Sequence, residues 1–390
     1  MKVTFLVFNI FGMGGTVKTT LNLANFLVLN GFDVSIVSIK KTRAKSFFYI
    51  NPKIQVNYLY ENRSRKLTLI KRVSLKILRS FPSILFHRDE EFWPSLNILI
   101  DLRVIKFLKK LKTDILITTL PSLNILSAKY CDEKIIKIGQ EHRSIKKYSP
   151  KLVLKIKNNY KKLDYLVCLT NEEKNNYKKL NIPNVTIKTI ANPVFHEGDK
   201  LPRVSIKENT IISAGRLVEQ KNYDTLIKAF VKVHNLHPNW NLKIYGKGKA
   251  RDELDDLIRK LNAENFISLK EATDNIQEKL AEVKLFALPS HHESFGMVLV
   301  ESLAVGTPVI AFASTGPKAI VRQYENGVLL DGNSIEDWES GLLHVIENPE
   351  LLKSMSEHSK ESVQEFSIHS IGELWVEFLL GIEKERKIDV

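Results

Sequence analysis

The chain alternates short, almost wholly apolar runs with longer segments in which apolar residues recur at helical spacing, a pattern that predicts parallel β-α-β units buried on both faces. In the first half the apolar runs fall at Thr4 to Asn9, Val34 to Ile39, Ile115 to Thr118, Lys134 to Ile138 and Tyr165 to Leu169. The second half carries them at Thr210 to Ala214, Leu242 to Tyr245, Phe266 to Leu269, Leu285 to Leu288, Val309 to Phe312 and Gly327 to Leu330. Asn192-Pro193 and the polar run His196 to Pro202 separate the halves, and 390 residues exceed the size at which one core keeps growing. Two α/β domains are expected, residues 1–193 and 194–366. A terminal helix over 367–390 sets Ile371, Leu374, Trp375, Phe378 and Leu379 at helical spacing.

Composition changes this picture little. A hydrophobic content of 44% belongs to a packed globular chain rather than a disordered one. Cys131 and Cys168 form neither a disulfide framework nor a metal spacing, so a reducing cytoplasm is expected. No stretch approaches the ~20 apolar residues that cross a bilayer, and the short run Met1 to Ile10 leads into a glycine loop as a first strand does. A soluble or peripheral protein is expected. Charge is more informative: residues 1–200 carry 36 Lys and Arg against 15 Asp and Glu, a net of +21, and the remainder nets −7. So lopsided a field attracts a polyanion or an anionic membrane surface to the first half.

Three segments carry candidate chemistry. The first is Glu293-Ser294-Phe295-Gly296-Met297-Val298-Leu299-Val300-Glu301, two carboxylates eight residues apart across a strand-turn-helix junction. At helical rise that spacing spans roughly 12 Å, enough to grip a long polar ligand at two points. The second is Ser213-Ala214-Gly215-Arg216-Leu217-Val218-Glu219-Gln220-Lys221, after a strand, where Arg216 offers a planar fork and Lys221 a point charge to a diphosphate. The third is the loop Gly12-Met13-Gly14-Gly15-Thr16 opening a helix from about Val17 to Asn30, whose backbone amides approach an anion. Gly14 to Thr20 also comes close to a Walker-type ATPase loop, but Val17 stands where that loop needs glycine before the lysine.

Together these residues resemble glycosyltransferase family 4, retaining enzymes of the GT-B fold, over nearly the whole chain and most strongly from Thr210 to Leu330. Glu293 and Glu301 match the E-x7-E motif, Arg216 and Lys221 the basic pair, and Gly14 and Gly15 the amino-terminal glycine loop. Tyr245-Gly246-Lys247-Gly248, Thr315-Gly316-Pro317 and Asn326-Gly327 also fit. The resemblance implies two Rossmann-like domains facing a cleft, with the terminal helix crossing back to the first. Arg216 and Lys221 would neutralise the leaving diphosphate. Glu293 and the backbone of Phe295, Gly296 and Met297 would hold sugar hydroxyls, and Glu301 the ribose. His142, in Gly139-Gln140-Glu141-His142-Arg143, matches a position near the reacting sugar and would hydrogen-bond it rather than act as a base. Ser294 and Ser302 replace a glycine and an alanine of the pattern, and Glu271 stands where a glycine often shapes the base pocket. No cofactor and no catalytic metal are implied; the donor would be UDP-glucose or UDP-N-acetylglucosamine.

For the acceptor, the glycine loop and Thr-Gly-Pro-Lys stretch look most like bacterial enzymes that decorate teichoic-acid or related wall polymers. A lipid-linked capsule or exopolysaccharide intermediate fits the same charge. Lys66 to Phe81 places Leu67, Leu69, Ile70, Val73, Ile77, Leu78 and Phe81 on one helical face and Lys71, Arg72, Lys76 and Arg79 on the other, with Leu75 interrupting the polar side. Such a helix either lies on an anionic membrane, as at the inner face of the plasma membrane, or packs inward. A nucleic-acid partner has only net charge in its favour, since no reader motif accompanies it.

Overall fold

The computed structural model describes residues 1–61, 69–195, 207–273 and 275–388, and the side chains of all of these but 69–74, 387 and 388. The polar run His196 to Pro202, and Lys66, Leu67 and Thr68 of the basic helix, lie outside the described residues. By contacts the chain separates into two units, Met1–Pro193 with Ile371–Val390, and Val194–Ser370.

The first unit runs β1 (Lys2–Val7), α1 (Gly15–Leu29), β2 (Asp33–Lys41), β3 (Gln55–Glu61), α2 (Leu69–Ser80), α3 (Ile98–Lys110), β4 (Ile115–Thr118), α4 (Pro121–Tyr130), β5 (Ile136–Glu141), α5 (Pro150–Asn159), β6 (Tyr165–Cys168), α6 (Asn171–Lys178) and β7 (Thr186–Thr189). Its seven strands are all parallel, in the order β3-β2-β1-β4-β5-β6-β7. The second unit runs β8 (Glu208–Ala214), α7 (Tyr223–Leu236), β9 (Asn241–Tyr245), α8 (Arg251–Lys260), β10 (Ile267–Lys270), α9 (Ile276–Ala281), β11 (Val283–Leu288), α10 (Met297–Ala304), β12 (Val309–Phe312), α11 (Thr315–Ile320), β13 (Gly327–Leu330), α12 (Ile335–Ile346) and α13 (Pro349–Ser359). Its six strands are parallel too, in the order β10-β9-β8-β11-β12-β13. The last helix, α14 (Ile368–Ile388), belongs to the first unit from Ile371 onward.

Alternation along β1 shows why its sequence is a continuous apolar run. Val3, Phe5 and Val7 point into a core shared with Leu21 and Leu27 of α1 and Trp375 and Leu379 of α14, whereas Leu6 faces Leu99 and Ile100 of α3 and Leu123 of α4. A strand buried on both faces has no polar side to alternate with. The two strands absent from the sequence-level list, β3 and β7, are the edges of the first sheet; their residues QVNYLYE and TIKT are mostly half-buried. Both thiols are free, and burial pushes the Cys131 thiol up to about 12.

The basic helix differs from its sequence-level reading. Leu75 and Leu78 pack toward the core of the first unit while Ile77, Lys76 and Arg79 face outward, so Leu75 is a half-buried anchor rather than an interruption of the polar side. Arg79 lies over the Tyr60 ring, 5.4 Å from its centre. The side chains of Leu69, Ile70, Lys71, Arg72 and Val73 fall outside the described set. Among the described residues no helix is long and apolar enough to cross a membrane.

Candidate active site

In an open parallel sheet, ligands bind beyond the carboxyl ends of the strands, where the strand order reverses direction. In the second unit that point lies between β8 and β11. The loop after β8 holds Arg216 and Lys221; the loop after β11 holds Glu293. Topology therefore brings together residues 72 positions apart, and the Lys221 ammonium meets the Glu293 carboxylate at 2.6 Å, both side chains about one-fifth exposed. Two further bonds tie the loops: the His291 amide donates to the Gln220 carbonyl at 3.1 Å, and the Gln220 amide to the His292 carbonyl at 3.0 Å. Glu293 is also fixed by its backbone, its N–H donating to Ser314 Oγ (3.2 Å) and its carbonyl accepting from the Gly316 amide (2.8 Å).

The helix α10 starts at Met297, so Glu293 lies outside it and the roughly 12 Å estimated from helical rise does not describe the Glu293–Glu301 pair. Glu301 is buried on that helix. Gly296 caps α10 with φ 92°, a left-handed conformation that a side chain resists. Neither a side-chain cap nor an acidic first-turn residue engages the first amides of α10, which leaves them to hold electronegative groups. Arg216 is exposed on its loop. The Gly-x-Gly after β9 has a packing role: a Cβ at Gly246 would lie 2.1 Å from the Gly215 carbonyl oxygen, so only glycine lets this loop reach the Arg216 loop. Beside it Arg251 pairs with Glu271 at 3.1 Å.

Sequence reasoning missed Tyr223 and gave no role to Asn222 and Ser290, which lie in the candidate stretches Ser213 to Asn222 and Ser290 to Glu301. All three are buried beside this loop pair, and among the described residues Tyr223 Oη, Asn222 Nδ2 and Ser290 Oγ have no hydrogen-bond partner. Burial, and then the Glu293 charge, holds the Tyr223 phenol well above its ordinary pKa. No spacing rule singles out a tyrosine two residues past a lysine.

In the first unit the strand order reverses between β1 and β4. Gly14 caps α1 at φ 151° with no side-chain cap and no acidic first-turn residue, so the amides that follow, Gly15 first, are free of side-chain competition. The hydroxyls of Thr19 and Thr20 donate back to the Thr16 carbonyl, at 3.3 and 2.7 Å, and both residues are buried. In a nucleotide-hydrolysing loop such a hydroxyl would face a metal and phosphate.

His142 directly follows β5. Its Nε2 is buried with no partner among the described residues, and burial lowers its pKa to about 4. The ring is neutral at pH 7 and suited to hydrogen bonding. The preceding Glu141, last residue of β5, lies in a polar cage. Its carboxyl accepts from Asn124 Nδ2 (2.9 Å), Tyr148 Oη (3.0 Å) and the Tyr160 hydroxyl, yet burial outweighs these bonds and raises its pKa to about 7. Glu90, equally missed, accepts from the Ser122 amide at the start of α4 (2.7 Å) and is likewise pushed to about 7 by burial. Among the described residues no group of His, Cys, Asp and Glu forms a metal-binding cluster.

Residues 200–362 match the family model "Glycosyl transferases group 1". The chain is 30% identical to an uncharacterized glycosyltransferase of Haemophilus influenzae over 96% of its own length and 98% of that protein. It is also 30% identical to an exopolysaccharide phosphotransferase of Streptomyces coelicolor, matching over 99% of its own length but spanning only 41% of that longer protein. Among solved structures it is similar to a single-residue mutant of S. aureus TarM in complex with Fondaparinux, alpha-GlcNAc-glycerol and UDP, with a TM-score of 0.75, 18% identity and coverage of 96% and 99% of the two chains.

Proposed function

The chain belongs to the group 1 glycosyl transferases, with two parallel-sheet Rossmann-like domains of the GT-B type, and from that premise we propose that it is a retaining, metal-independent hexosyltransferase of glycosyltransferase family 4. The donor is a UDP-sugar, UDP-glucose or UDP-N-acetylglucosamine, and the acceptor a hydroxyl of an anionic cell-surface polymer of the teichoic-acid kind. The observation that carries the reading is the Lys221–Glu293 contact at the β8/β11 reversal, which sets a cation for phosphate beside a carboxylate for sugar hydroxyls.

In this mechanism Arg216 and Lys221 neutralise charge growing on the diphosphate as the glycosidic bond breaks. The acceptor oxygen bonds to the anomeric carbon on the face the diphosphate leaves, and its proton passes to the departing phosphate oxygen. The configuration is kept and no separate base is needed. Glu293 and the amides of α10 orient sugar hydroxyls, Glu301 accepts from the ribose, Gly14 and Gly15 present amides to anionic oxygens, and neutral His142 hydrogen-bonds a sugar hydroxyl. TarM, whose complex holds UDP and alpha-GlcNAc-glycerol, supports both donor and acceptor class.

A lipid-linked capsule or exopolysaccharide intermediate is the second acceptor reading. It draws on the exposed Ile77, Phe81 and Ile84 of the basic first unit, a surface suited to the inner face of the plasma membrane of a cytoplasmic enzyme. Incubation with a panel of labelled nucleotide-sugars, with NMR of the product's anomeric proton, tests the proposal. Transfer from a UDP-hexose with retained configuration and undiminished by EDTA is expected. An inverted product overturns the retaining assignment, and loss in EDTA the metal-independent one.

A further inference from the structure

Beyond the carboxyl end of β5, the segment 143–155, which enters α5, holds a group of cations that the donor chemistry does not use. Arg143, Lys147, Lys151 and Lys155 are all exposed. They act on common neighbours: Arg143 depresses the Lys147 pKa, after burial, and Lys155 and Lys151 both oppose protonation of His87. Arg143 is held in place, donating to the Asp89 carbonyl at 3.3 Å and lying 5.8 Å from the centre of the Tyr148 ring.

Of the counter-charge nearby, Asp89 interacts with Arg143 and is otherwise engaged. Asp89 accepts from the Ser149 amide at 2.6 Å and faces His87 Nδ1 at 3.3 Å. Glu90 and Glu141 are buried and held neutral through much of the acid range. Lys146 is neutralised by Glu172 at 2.8 Å, whereas among the described residues no carboxylate pairs with Lys147, Lys151 or Lys155. Like charges gathered without partners raise the free energy of the protein alone and lower it once an anion binds. One planar fork among ammonium groups suits the oxygens of a phosphate. The exposed Leu154, between Lys151 and Lys155 on the same face of α5, adds an apolar contact for the linker of such a ligand.

We infer that Arg143, Lys147, Lys151 and Lys155 bind a phosphate group of the acceptor, holding the phosphate neighbouring the hydroxyl that is glycosylated. This rests on the transferase reading, and direct binding separates the two. A fluorescent glycerol-phosphate oligomer is titrated into the wild-type chain and into R143Q/K147Q/K151Q, with UDP binding measured on both. Lys109→Gln/Lys110→Gln/Lys112→Gln, on the first unit but away from the cluster, removes the same net charge. The expected result is oligomer binding weakened at least tenfold in the first variant, little changed in the second, with UDP binding equal in all. Equal weakening in both variants, or none in the first, overturns the inference. So does equal affinity for a carboxylate polymer such as polyglutamate, which would mark a solvated basic face only. If the cluster binds oligomer and no protein binds UDP, the site stands and the UDP-donor reading fails.

Discussion

Replacing Glu141 with Gln should change how stability depends on pH, in a direction and amount the structure sets. The carboxyl is fully buried between Asn124, Tyr148 and Tyr160, and its pKa rises from 4.5 to about 7 because burial disfavours the charged form more than the three donors favour it. The folded state therefore holds this proton where the unfolded chain releases it. Its stabilising effect is complete below pH 4.5, declines as pH rises toward 7 and is gone above. Between pH 5 and pH 8 the loss amounts to about 2.5 kcal/mol, at 1.36 kcal/mol per tenfold change. Gln keeps the neutral shape and cannot ionise. Urea unfolding of wild type and Glu141→Gln at pH 5, 6, 7 and 8 tests this: the stability difference, mutant minus wild type, should climb by about 2.5 kcal/mol across the series. His142, with its pKa lowered to about 4, works the opposite way below pH 6.5, but it is common to both proteins and cancels. A difference flat to within about 0.5 kcal/mol would refute the claim that Glu141 is neutral in the folded state.

Other outcomes follow from the same geometry. Lys221→Met and Glu293→Gln should each destabilise by about 1–3 kcal/mol, and the double variant by at least ~1 kcal/mol less than their sum; additivity in chemical denaturation would show that the 2.6 Å contact carries no coupling. Glu293→Gln should abolish sugar transfer while near-ultraviolet circular dichroism stays unchanged, and full turnover would remove it from the site. A Cβ at Gly316 would sit 2.3 Å from the Phe295 carbonyl oxygen, so Gly316→Ala should lower stability by about 1–3 kcal/mol and shift the melting temperature down, whereas an unshifted Tm would contradict the packing. With Mg-ATP the chain should release no phosphate above background; release that Thr19→Val removes would restore the ATPase reading set aside at Val17.

Much of the architecture was legible because parallel strands buried on both faces must be apolar throughout. All six strands of the second sheet coincide with apolar runs, since even its edge strands, β10 and β13, keep buried residues. β3 and β7 escaped notice because an edge strand presents half-exposed residues, and Gln55, Asn57 and Lys188 break the run. The orientation of α2 was misjudged by periodicity alone: Ile77 is as apolar as Leu78, and only the neighbours Tyr60 and α3 decide which of them turns inward.

The candidate site divides the same way. Motif spacing picked out Arg216, Lys221, Glu293, Glu301, Gly14 and Gly15 as candidates because glycine turns and charged residues at strand ends leave a local mark in the chain, and the family resemblance added His142. The pairing of Lys221 with Glu293 leaves no such mark, for the two are 72 residues apart and meet only because β8 and β11 pair where the sheet reverses. Glu90 and Glu141 look like any surface carboxylates in the sequence; burial, a property of the assembled fold, is what keeps their protons. By itself the sequence determined where strands and helices form, because periodicity and turn chemistry act within a few residues. Which charges meet, which are desolvated and which cations stay unpaired was decided only by the tertiary structure, because Coulomb energy and burial depend on distances through space that the order of residues does not encode.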